Sequence, residues 1–193
     1  MIHNLFPTPI GFYKVEITEL DAILSQEQRS NTGNTTSVNN NLLDVLPDLK
    51  KQVLVHLDDY FQSVYQPKHD VKLRITQSWS NYTNAGQFHH KHAHPNSFVS
   101  GVLYPKADKE KDKIFFYKDG YQQIKIPPKD WNHWNSESWW FEVGVGDLVL
   151  FPSSLTHMVE TVNGESRVSI AFNTFPVGYV GDDLDLTGLH LGE

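Results

Sequence analysis

The sequence contains no cysteine. This absence excludes disulfides, thiolate zinc sites and cysteine nucleophiles, so any metal must be bound through nitrogen or oxygen atoms. The sequence also has no run of about eighteen apolar residues, and its start lacks a charged segment followed by an apolar one. It therefore predicts a cytoplasmic protein that has no membrane partner.

Clustered basic residues are lacking as well. The formal net charge is −7, and the main basic group, Lys106 to Lys113, is interrupted by Asp108, Glu110 and Asp112. Because neutralising nucleic-acid phosphates takes adjacent lysines and arginines, the composition argues against nucleic acid as the main partner. The mixed group is typical of a solvated loop.

Apolar residues are plentiful enough for one hydrophobic core. They make up 39% of the 193 residues, and aromatic residues make up 12%. We expect a single domain over residues 1–193, with a helical part at about 1–70, a β core at about 71–176 and a tail at 177–193. An exposed sheet edge or the helix that starts at Pro47 could form the interface of a homodimer.

Two segments near the start have helical periodicity. Thr18 to Gln28 combines a threonine cap with apolar residues at helical spacing and predicts a short helix. Pro47 to Tyr65 repeats apolar residues every three or four positions and predicts an amphipathic helix. Between them, Gly33 to Asn41 is polar and rich in turn formers, which predicts an exposed loop without chemistry.

After about residue 70 the pattern changes to short β-rich runs separated by glycine and proline. Strands that follow helices, without an internal repeat, indicate a mainly β fold whose N-terminal helices flank one face of a sheet. A β-sandwich, a jelly roll and a barrel all fit this pattern. The predicted strands are Lys72 to Tyr82, Phe98 to Tyr104, Ile114 to Tyr117, Trp139 to Val143, Leu148 to Phe151 and Arg167 to Phe172.

Six of the ten histidines lie in one part of the chain. Residues two apart on a strand face the same side, so His92 and His94 can bind one metal ion, and His90 with His92 satisfies the same geometry. A turn and an apolar strand lead to His157, the natural third ligand. Four of the six histidines stand in the run His89-His90-Lys91-His92-Ala93-His94-Pro95.

A strand that begins ten residues later carries an arginine. Strand alternation puts Arg167 and Ser169 on one face and the apolar residues between and after them on the other. An arginine that faces inward favours an anion, because its guanidinium binds a carboxylate through two hydrogen bonds and the serine hydroxyl can add a third. A structural salt bridge to Glu142 or Glu160 is the alternative.

Tryptophan is concentrated in a single segment. Four of the five tryptophans fall between Trp131 and Trp140. We expect some of them in the core and favour core packing over substrate contact, although Trp131 and Trp134 flank polar residues and could line a substrate groove or form a lid. We expect His133 to be a surface or hydrogen-bonded histidine rather than a metal ligand.

With these residues the chain resembles the iron(II)- and 2-oxoglutarate-dependent oxygenases, in particular a branch related to prolyl hydroxylases. The resemblance runs from about Leu5 to Phe175. It rests on Leu5-Phe6-Pro7-Thr8-Pro9-Ile10, Ser78-Trp79-Ser80-Asn81, His92-Ala93-His94-Pro95-Asn96-Ser97, Ser100-Gly101-Val102-Leu103-Tyr104 and the spacing from His157 to Arg167 and Ser169.

The resemblance implies a double-stranded β-helix, which is a jelly roll, and a dioxygenase that uses Fe(II), 2-oxoglutarate and O2. Such an enzyme couples 2-oxoglutarate decarboxylation to substrate oxidation, and here a hydroxylase is implied, with a prolyl peptide as the first candidate substrate. No catalytic residue beyond the metal centre is implied. The implied metal ligands are His92, His94 and His157. The implied 2-oxoglutarate-binding residues are Arg167, Ser169 and Tyr104.

One departure from the superfamily pattern stands at His94, where an aspartate or glutamate is usual. Three neutral imidazoles leave the site one charge unit more positive than two imidazoles and a carboxylate. Two other functions stay open. One is a cupin-like three-histidine metalloprotein that does not use 2-oxoglutarate and gives Arg167 no role. The other is a non-catalytic jelly-roll module that binds a carbohydrate or peptide through its tryptophans.

Overall fold

The computed structural model describes residues 1–120, 124 and 126–192, and its regular structure is mainly β. In this part of the chain the α-helices are α1 (Leu20–Leu24) and α2 (Pro47–Tyr65), and a 3-10 helix covers Leu42–Val45. The strands are β1 (Gly11–Lys14), β2 (Gln28–Ser30), β3 (Thr35–Ser37), β4 (Val71–Thr83), β5 (His89–His92), β6 (Val99–Lys106), β7 (Lys113–Tyr117), β8 (Ser138–Glu142), β9 (Asp147–Pro152), β10 (His157–Val159), β11 (Arg167–Val180) and β12 (Leu189–Leu191).

The strands form two antiparallel sheets. The larger sheet has the order β1-β9-β6-β11-β4-β3-β2, with β12 paired to β11, and the smaller has the order β5-β10-β7-β8. One hydrophobic cluster lies on the α2 side of the larger sheet, and a second joins residues of both sheets. The predicted jelly roll is confirmed, and its two sheets form the walls of the interior.

Helix α2 covers one face of the larger sheet. It begins at Pro47, whose missing amide hydrogen costs nothing in a first turn, and it ends before Gln66, whose φ of 44° is left-handed. Leu49, Val53 and Leu57 are buried along its inner face and join the cluster on that side of the sheet. The predicted amphipathic helix is confirmed with its predicted bounds.

The segment between the two helices differs from its prediction. The first helix ends at Leu24, and the supposed exposed loop contains β3, in which Thr36 and Ser37 are buried. The hydroxyl of Thr36 donates to the carbonyl oxygen of Ser80 on β4 (2.9 Å). The loop prediction was wrong because such hydrogen bonds let polar side chains pair with a sheet instead of with water.

Strands β6 and β11 separate the helical side from the interior. Val168, Ile170 and Phe172 of β11 point towards the cluster beneath α2. Their neighbours Arg167 and Ser169 are also buried but line the interior between the sheets. This is the alternation that the sequence predicts. Within the described residues, no helix is both long and apolar enough to cross a membrane.

The prediction that the tryptophan segment packs mainly in the core was wrong. The exposed fraction is 64% for Trp131, 61% for Trp134 and 41% for Trp140, and Trp139 is only partly buried. The last two belong to β8, which is an edge strand of the smaller sheet among the described residues. The ammonium group of Lys113 lies 3.7 Å from the ring centroid of Trp140.

Candidate metal centre

A cavity lies between the two sheets. Strands β4, β6 and β11 of the larger sheet form one wall, and β5, β7 and β10 of the smaller sheet form the other. The polar side chains that line it include Asn81, Tyr104, Arg167, Ser169, His92 and His157. The cavity therefore joins the two groups of residues that the sequence singles out.

His92, His94 and His157, which we call the histidine triad, meet in this cavity. One nitrogen atom from each ring lies within 4.8 Å of the other two. Strand pairing places His92 directly opposite His157. His94 follows β5, and its backbone N–H donates to the carbonyl oxygen of Ser153 (2.9 Å). Three imidazole nitrogens at this spacing suit one divalent transition-metal ion.

The hydrogen bonds of the triad leave the same ring nitrogen free on each histidine. Nδ1 of His92 donates to the carbonyl oxygen of His90 (2.7 Å), and Nδ1 of His157 donates to that of Leu155 (3.1 Å). Nδ1 of His94 donates to Oδ1 of Asn173 (2.5 Å). Since Nδ1 carries the hydrogen, Nε2 keeps its lone pair, as a metal ligand requires.

Burial keeps the triad uncharged. Loss of solvent, together with the charges of the neighbouring histidines, lowers the pKa of His157 from 6.5 to about 2 and that of His92 to about 4. Burial also lowers the pKa of His94, although its hydrogen bond to Asn173 opposes this shift. Only neutral imidazole binds a metal ion, so these pKa values favour binding at neutral pH.

A second group of histidine nitrogens lies beside the first. One nitrogen atom each of His89, His90 and His92 also lies within 4.8 Å of the others. A register shift between β5 and β10 accompanies this group, and such bulges turn side chains away from strict alternation. The two groups share His92. The triad is the more buried, because His94 and His157 are 6% and 5% exposed, whereas all three members of the second group are only partly buried.

Arg167 is buried in the same cavity, with 3% of its surface exposed. Its Nη1 donates to the carbonyl oxygen of Lys113 (3.0 Å), and its guanidinium carbon lies 4.9 Å from the ring centroid of Tyr104. Among the described residues, its Nε has no hydrogen-bond partner and no carboxylate forms an ion pair with it. The alternative of a salt bridge to Glu142 or Glu160 was therefore wrong.

Two hydroxyl groups accompany this guanidinium. Ser169 lies two residues along β11 and is 5% exposed, and Tyr104 on β6 is fully buried. The hydroxyl of Tyr104 has no hydrogen-bond partner within the described part of the chain. Burial raises its pKa to about 12, so it stays protonated. A buried polar atom without a partner is costly, and the hydroxyl group of Tyr104 is therefore free to donate to a ligand in the cavity.

The charge of the cavity is positive. Arg167 contributes a permanent positive charge, the histidines are neutral, and no aspartate or glutamate is among the described residues that line the cavity. A divalent ion on the triad would raise the charge further. A ligand with two negative charges therefore has both a metal ion and a guanidinium to neutralise it.

Comparison of the sequence with known families identifies the family of this chain. Residues 77–173, just over half of the chain, match the family described as "Putative 2OG-Fe(II) oxygenase". The chain belongs to this family. It is thus a 2-oxoglutarate-dependent, non-haem iron oxygenase, with Fe(II) and 2-oxoglutarate as cofactors. No curated protein sequence matches it.

Three solved structures illustrate how widely the fold is shared. An oxidoreductase of the 2OG-Fe(II) oxygenase family from Burkholderia pseudomallei is 13% identical, with 82% of this chain and 77% of that one covered and a TM-score of 0.57. HygX from Streptomyces hygroscopicus, with nickel and 2-oxoglutarate bound, is 12% identical, with 86% and 82% covered and a TM-score of 0.56. Viral collagen prolyl hydroxylase from Paramecium Bursaria Chlorella virus-1, a 2-oxoglutarate complex, is 10% identical, with 86% and 94% covered and a TM-score of 0.50. At such identities the likeness shows the fold alone.

Sequence reasoning gave no role to two residues that contact His94. Asn173 fixes the ring of His94, and the indole of Trp79 stacks on that ring with centroids 5.8 Å apart. Asn173 lies two residues beyond Ala171 on the inward face of β11, so alternation could have found it. Trp79 belongs to a segment that carries the family resemblance, but its contact with His94 could not be predicted because the two residues lie on different strands or loops.

Proposed function

We propose that this oxygenase is a hydroxylase whose metal is bound by His92, His94 and His157. The overall reaction is 2-oxoglutarate + O2 + R–H → succinate + CO2 + R–OH. One observation carries the proposal: Arg167 is a buried cation without an ion-pair partner among the described residues, in the same cavity as the triad. A cavity that holds a metal site and an unpaired guanidinium suits a ligand that chelates at one end and carries a carboxylate at the other.

Different side chains of the cavity would bind the metal ion and 2-oxoglutarate. The triad would hold Fe(II) through its three Nε2 atoms, which its hydrogen bonds leave free. When bound, the metal and 2-oxoglutarate supply O2 activation, the difficult part of the chemistry. Arg167, with Ser169 and Tyr104, would bind the distal carboxylate of 2-oxoglutarate. The apolar residues of the cavity exclude water, which strengthens these electrostatic contacts.

The protein need not supply an acid–base pair for this reaction. Tyr104 keeps its proton because burial raises its pKa to about 12, so its role is hydrogen-bond donation. The three histidines keep Nδ1 protonated through fixed acceptors and are positioned before any metal binds. The chain's own contribution is therefore the placement of ligands and the exclusion of solvent.

For the substrate we propose a prolyl peptide. Support comes from the resemblance to prolyl hydroxylases and from the fold shared with the viral collagen prolyl hydroxylase. The test is incubation of a proline-containing peptide with the enzyme, Fe(II), 2-oxoglutarate and O2, followed by mass spectrometry. We expect one added oxygen atom on proline, and none on a control peptide in which alanine replaces proline. Succinate that forms without any peptide product would direct the search to other substrates.

The cofactor assignment can be tested without a substrate. The metal-free protein is titrated anaerobically with Fe(II) and then with 2-oxoglutarate, and the visible charge-transfer band of the chelate is followed. We expect a saturable band. Arg167→Met keeps the length of the side chain and removes its charge, and should weaken 2-oxoglutarate binding by about 10- to 100-fold. Arg74→Met, at an exposed position of β4, is the matched control and should bind as the wild type does.

Each negative result of this titration favours a different function. Iron binding without a band would favour the cupin-like metalloprotein, in which Arg167 has no role. Absence of iron binding would favour the binding module, and a carbohydrate or peptide would then be sought at the exposed tryptophans. A band that is equally strong in Arg167→Met would leave the metal site intact but remove Arg167 from 2-oxoglutarate binding.

A further inference from the structure

His89 is a fourth histidine of the cavity, and its Nδ1 faces a hydrogen-bond donor, whereas Nδ1 of each triad histidine faces an acceptor. Nδ1 of His89 lies 3.1 Å from Nδ2 of Asn34, an amide nitrogen that can only donate. Each triad histidine instead has an oxygen acceptor beside Nδ1. With the amide in this orientation Nδ1 of His89 accepts, and in the neutral ring the hydrogen then lies on Nε2.

The Asn34 amide has two other hydrogen-bond partners, the side chains of Asn31 and Thr83. Oδ1 of Asn34 accepts from Nδ2 of Asn31 (3.0 Å), and Nδ2 of Asn34 also donates to the hydroxyl oxygen of Thr83 (3.2 Å). Asn34 is 5% exposed, so water cannot readily replace these partners. With its oxygen held by Asn31, the amide presents its N–H groups to Thr83 and His89.

This hydrogen bond argues against His89 as a metal ligand. A ligating imidazole needs a free lone pair, and the lone pair of Nδ1 already accepts from Asn34. On Nε2 a hydrogen stands where the lone pair would have to be. The second histidine group, which contains His89, therefore lacks one of the three nitrogen lone pairs that would bind a metal ion. What His89 offers to the cavity is an N–H group.

His89 lies at the Arg167 end of the cavity. Thr83, which accepts from Asn34, is the direct cross-strand partner of Arg167 in the pairing of β4 with β11. His89 pairs with Val159, whereas His92 pairs with His157 in the triad. His89 and Arg167 both line the cavity. The two residues therefore face the same cavity, and Asn34 links His89 to Thr83, the cross-strand partner of Arg167.

We propose that His89, oriented by Asn34, donates its Nε2–H to the distal carboxylate of 2-oxoglutarate beside Arg167. The inference rests on the proposed use of 2-oxoglutarate and adds a residue to its binding. A carboxylate has about four lone-pair positions, which Arg167, Ser169, Tyr104 and His89 would share. A neutral N–H donor supplies a further hydrogen bond without adding charge.

The tautomer is tested on the metal-free protein. Long-range ¹H–¹⁵N NMR correlations distinguish imidazole protonated at Nε2 from imidazole protonated at Nδ1, and single-histidine variants assign the signals. We expect the Nε2–H tautomer for His89 and the Nδ1–H tautomer for the three triad histidines. Asn34→Ala should remove the distinction at His89. A wild-type His89 protonated at Nδ1 overturns the proposal.

The binding role is tested by anaerobic titration of the Fe(II)-loaded protein. His89→Phe keeps an aromatic ring but no donor, and we expect about 10- to 100-fold weaker 2-oxoglutarate binding with unchanged iron affinity. His89→Gln retains an N–H donor and should recover most of the loss. His133→Phe, outside the cavity, is the control and should match the wild type. Binding of 2-oxopentanoate, which lacks the distal carboxylate, should be equal in wild type and His89→Phe.

Three results contradict the proposal in distinguishable ways. Wild-type 2-oxoglutarate affinity in His89→Phe removes His89 from the site. Loss of iron from that variant makes His89 a metal ligand. Equal weakening of 2-oxoglutarate and 2-oxopentanoate moves the contact to the 2-oxo acid end. If the wild-type protein does not bind 2-oxoglutarate at all, the proposed function fails first, and the inference fails with it.

Discussion

His92 and His157 stand directly opposite each other on the paired strands β5 and β10, with ring centroids 4.4 Å apart. Strand pairing sets the spacing of their backbones, and carbonyl oxygens fix both rings through Nδ1. The two Nε2 atoms are therefore positioned by the fold itself. Metal binding therefore loses little side-chain conformational entropy, which favours high affinity.

Removal of one member of this pair should abolish tight metal binding. We expect His157→Ala to lower the affinity for Fe(II) or Co(II) by at least about 100-fold, because two imidazoles remain where three converge. Isothermal titration of the metal-free protein measures the change. His133→Ala is the control, since His133 is exposed and contacts Trp139 outside the cavity. Wild-type affinity in His157→Ala would remove this histidine from the metal site.

Asn173 should influence metal binding without touching the metal. Its Oδ1 accepts from Nδ1 of His94 and thereby fixes both the tautomer and the orientation of that ring. We expect Asn173→Leu, which has a similar size but no acceptor, to weaken metal binding by about 10- to 100-fold. Asn173→Asp keeps the acceptor and should bind nearly as the wild type does. Metal titration of both variants tests this, and equal losses would point to packing rather than to the hydrogen bond.

The parts of the site that depend on strand alternation could be predicted from the sequence. On β11, Arg167 and Ser169 line the cavity while Val168 and Ile170 join the core, because successive residues of a strand face opposite sides whatever surrounds them. The amphipathic helix was predictable for the same reason. Periodicity is a local property, so the chain displays it without its tertiary partners.

The parts that depend on distant partners could not be predicted. Asn34 belongs to a polar segment that has the composition of a loop, yet it is buried against Thr83 and His89. The position of β8 at a sheet edge, which leaves Trp140 exposed, likewise follows from the strand order rather than from the residues of β8. Strand order is a property of the whole fold, and a single sequence carries no local sign of it.

Gly101 should not tolerate a side chain. A Cβ atom at this position would lie 2.2 Å from Cζ of Phe172 and 2.8 Å from a Leu150 methyl carbon. Both neighbours are fully buried in the cluster beneath α2, so neither can easily move aside. We expect Gly101→Ala to lower the free energy of unfolding by about 1–3 kcal/mol, measured by urea denaturation.

A second substitution should relieve this clash. Phe172→Leu removes the ring atoms nearest to the new methyl group, so the double variant Gly101→Ala/Phe172→Leu should lose less free energy than the sum of the two single losses. Gly192→Ala is the control, since its Cβ would meet no atom within 4 Å. Strictly additive losses would show that the methyl group and the ring do not compete for the same space.

Acid should destabilise the metal-free protein through its buried histidines. Burial lowers the pKa of His157 to about 2 and that of His89 to about 3, whereas both are near 6.5 in the unfolded chain. Below pH 6.5 the unfolded chain therefore binds protons that the folded chain does not. Stability should fall as the pH decreases from about 6.5, by up to about 1.4 kcal/mol per pH unit for each histidine, until the folded pKa is reached.

This loss can be assigned to one residue by urea denaturation with a chelator present at pH 7.5, 6.5, 5.5 and 5.0, as chosen test conditions. His157→Phe fills a similar space and cannot be protonated, so its stability should fall less steeply between about pH 6.5 and 5.0, by a difference of about 2 kcal/mol. His133→Phe should keep the wild-type slope because His133 is exposed. A slope that is the same in all three proteins would mean that His157 is as easily protonated in the folded chain as in the unfolded one, against the burial seen here.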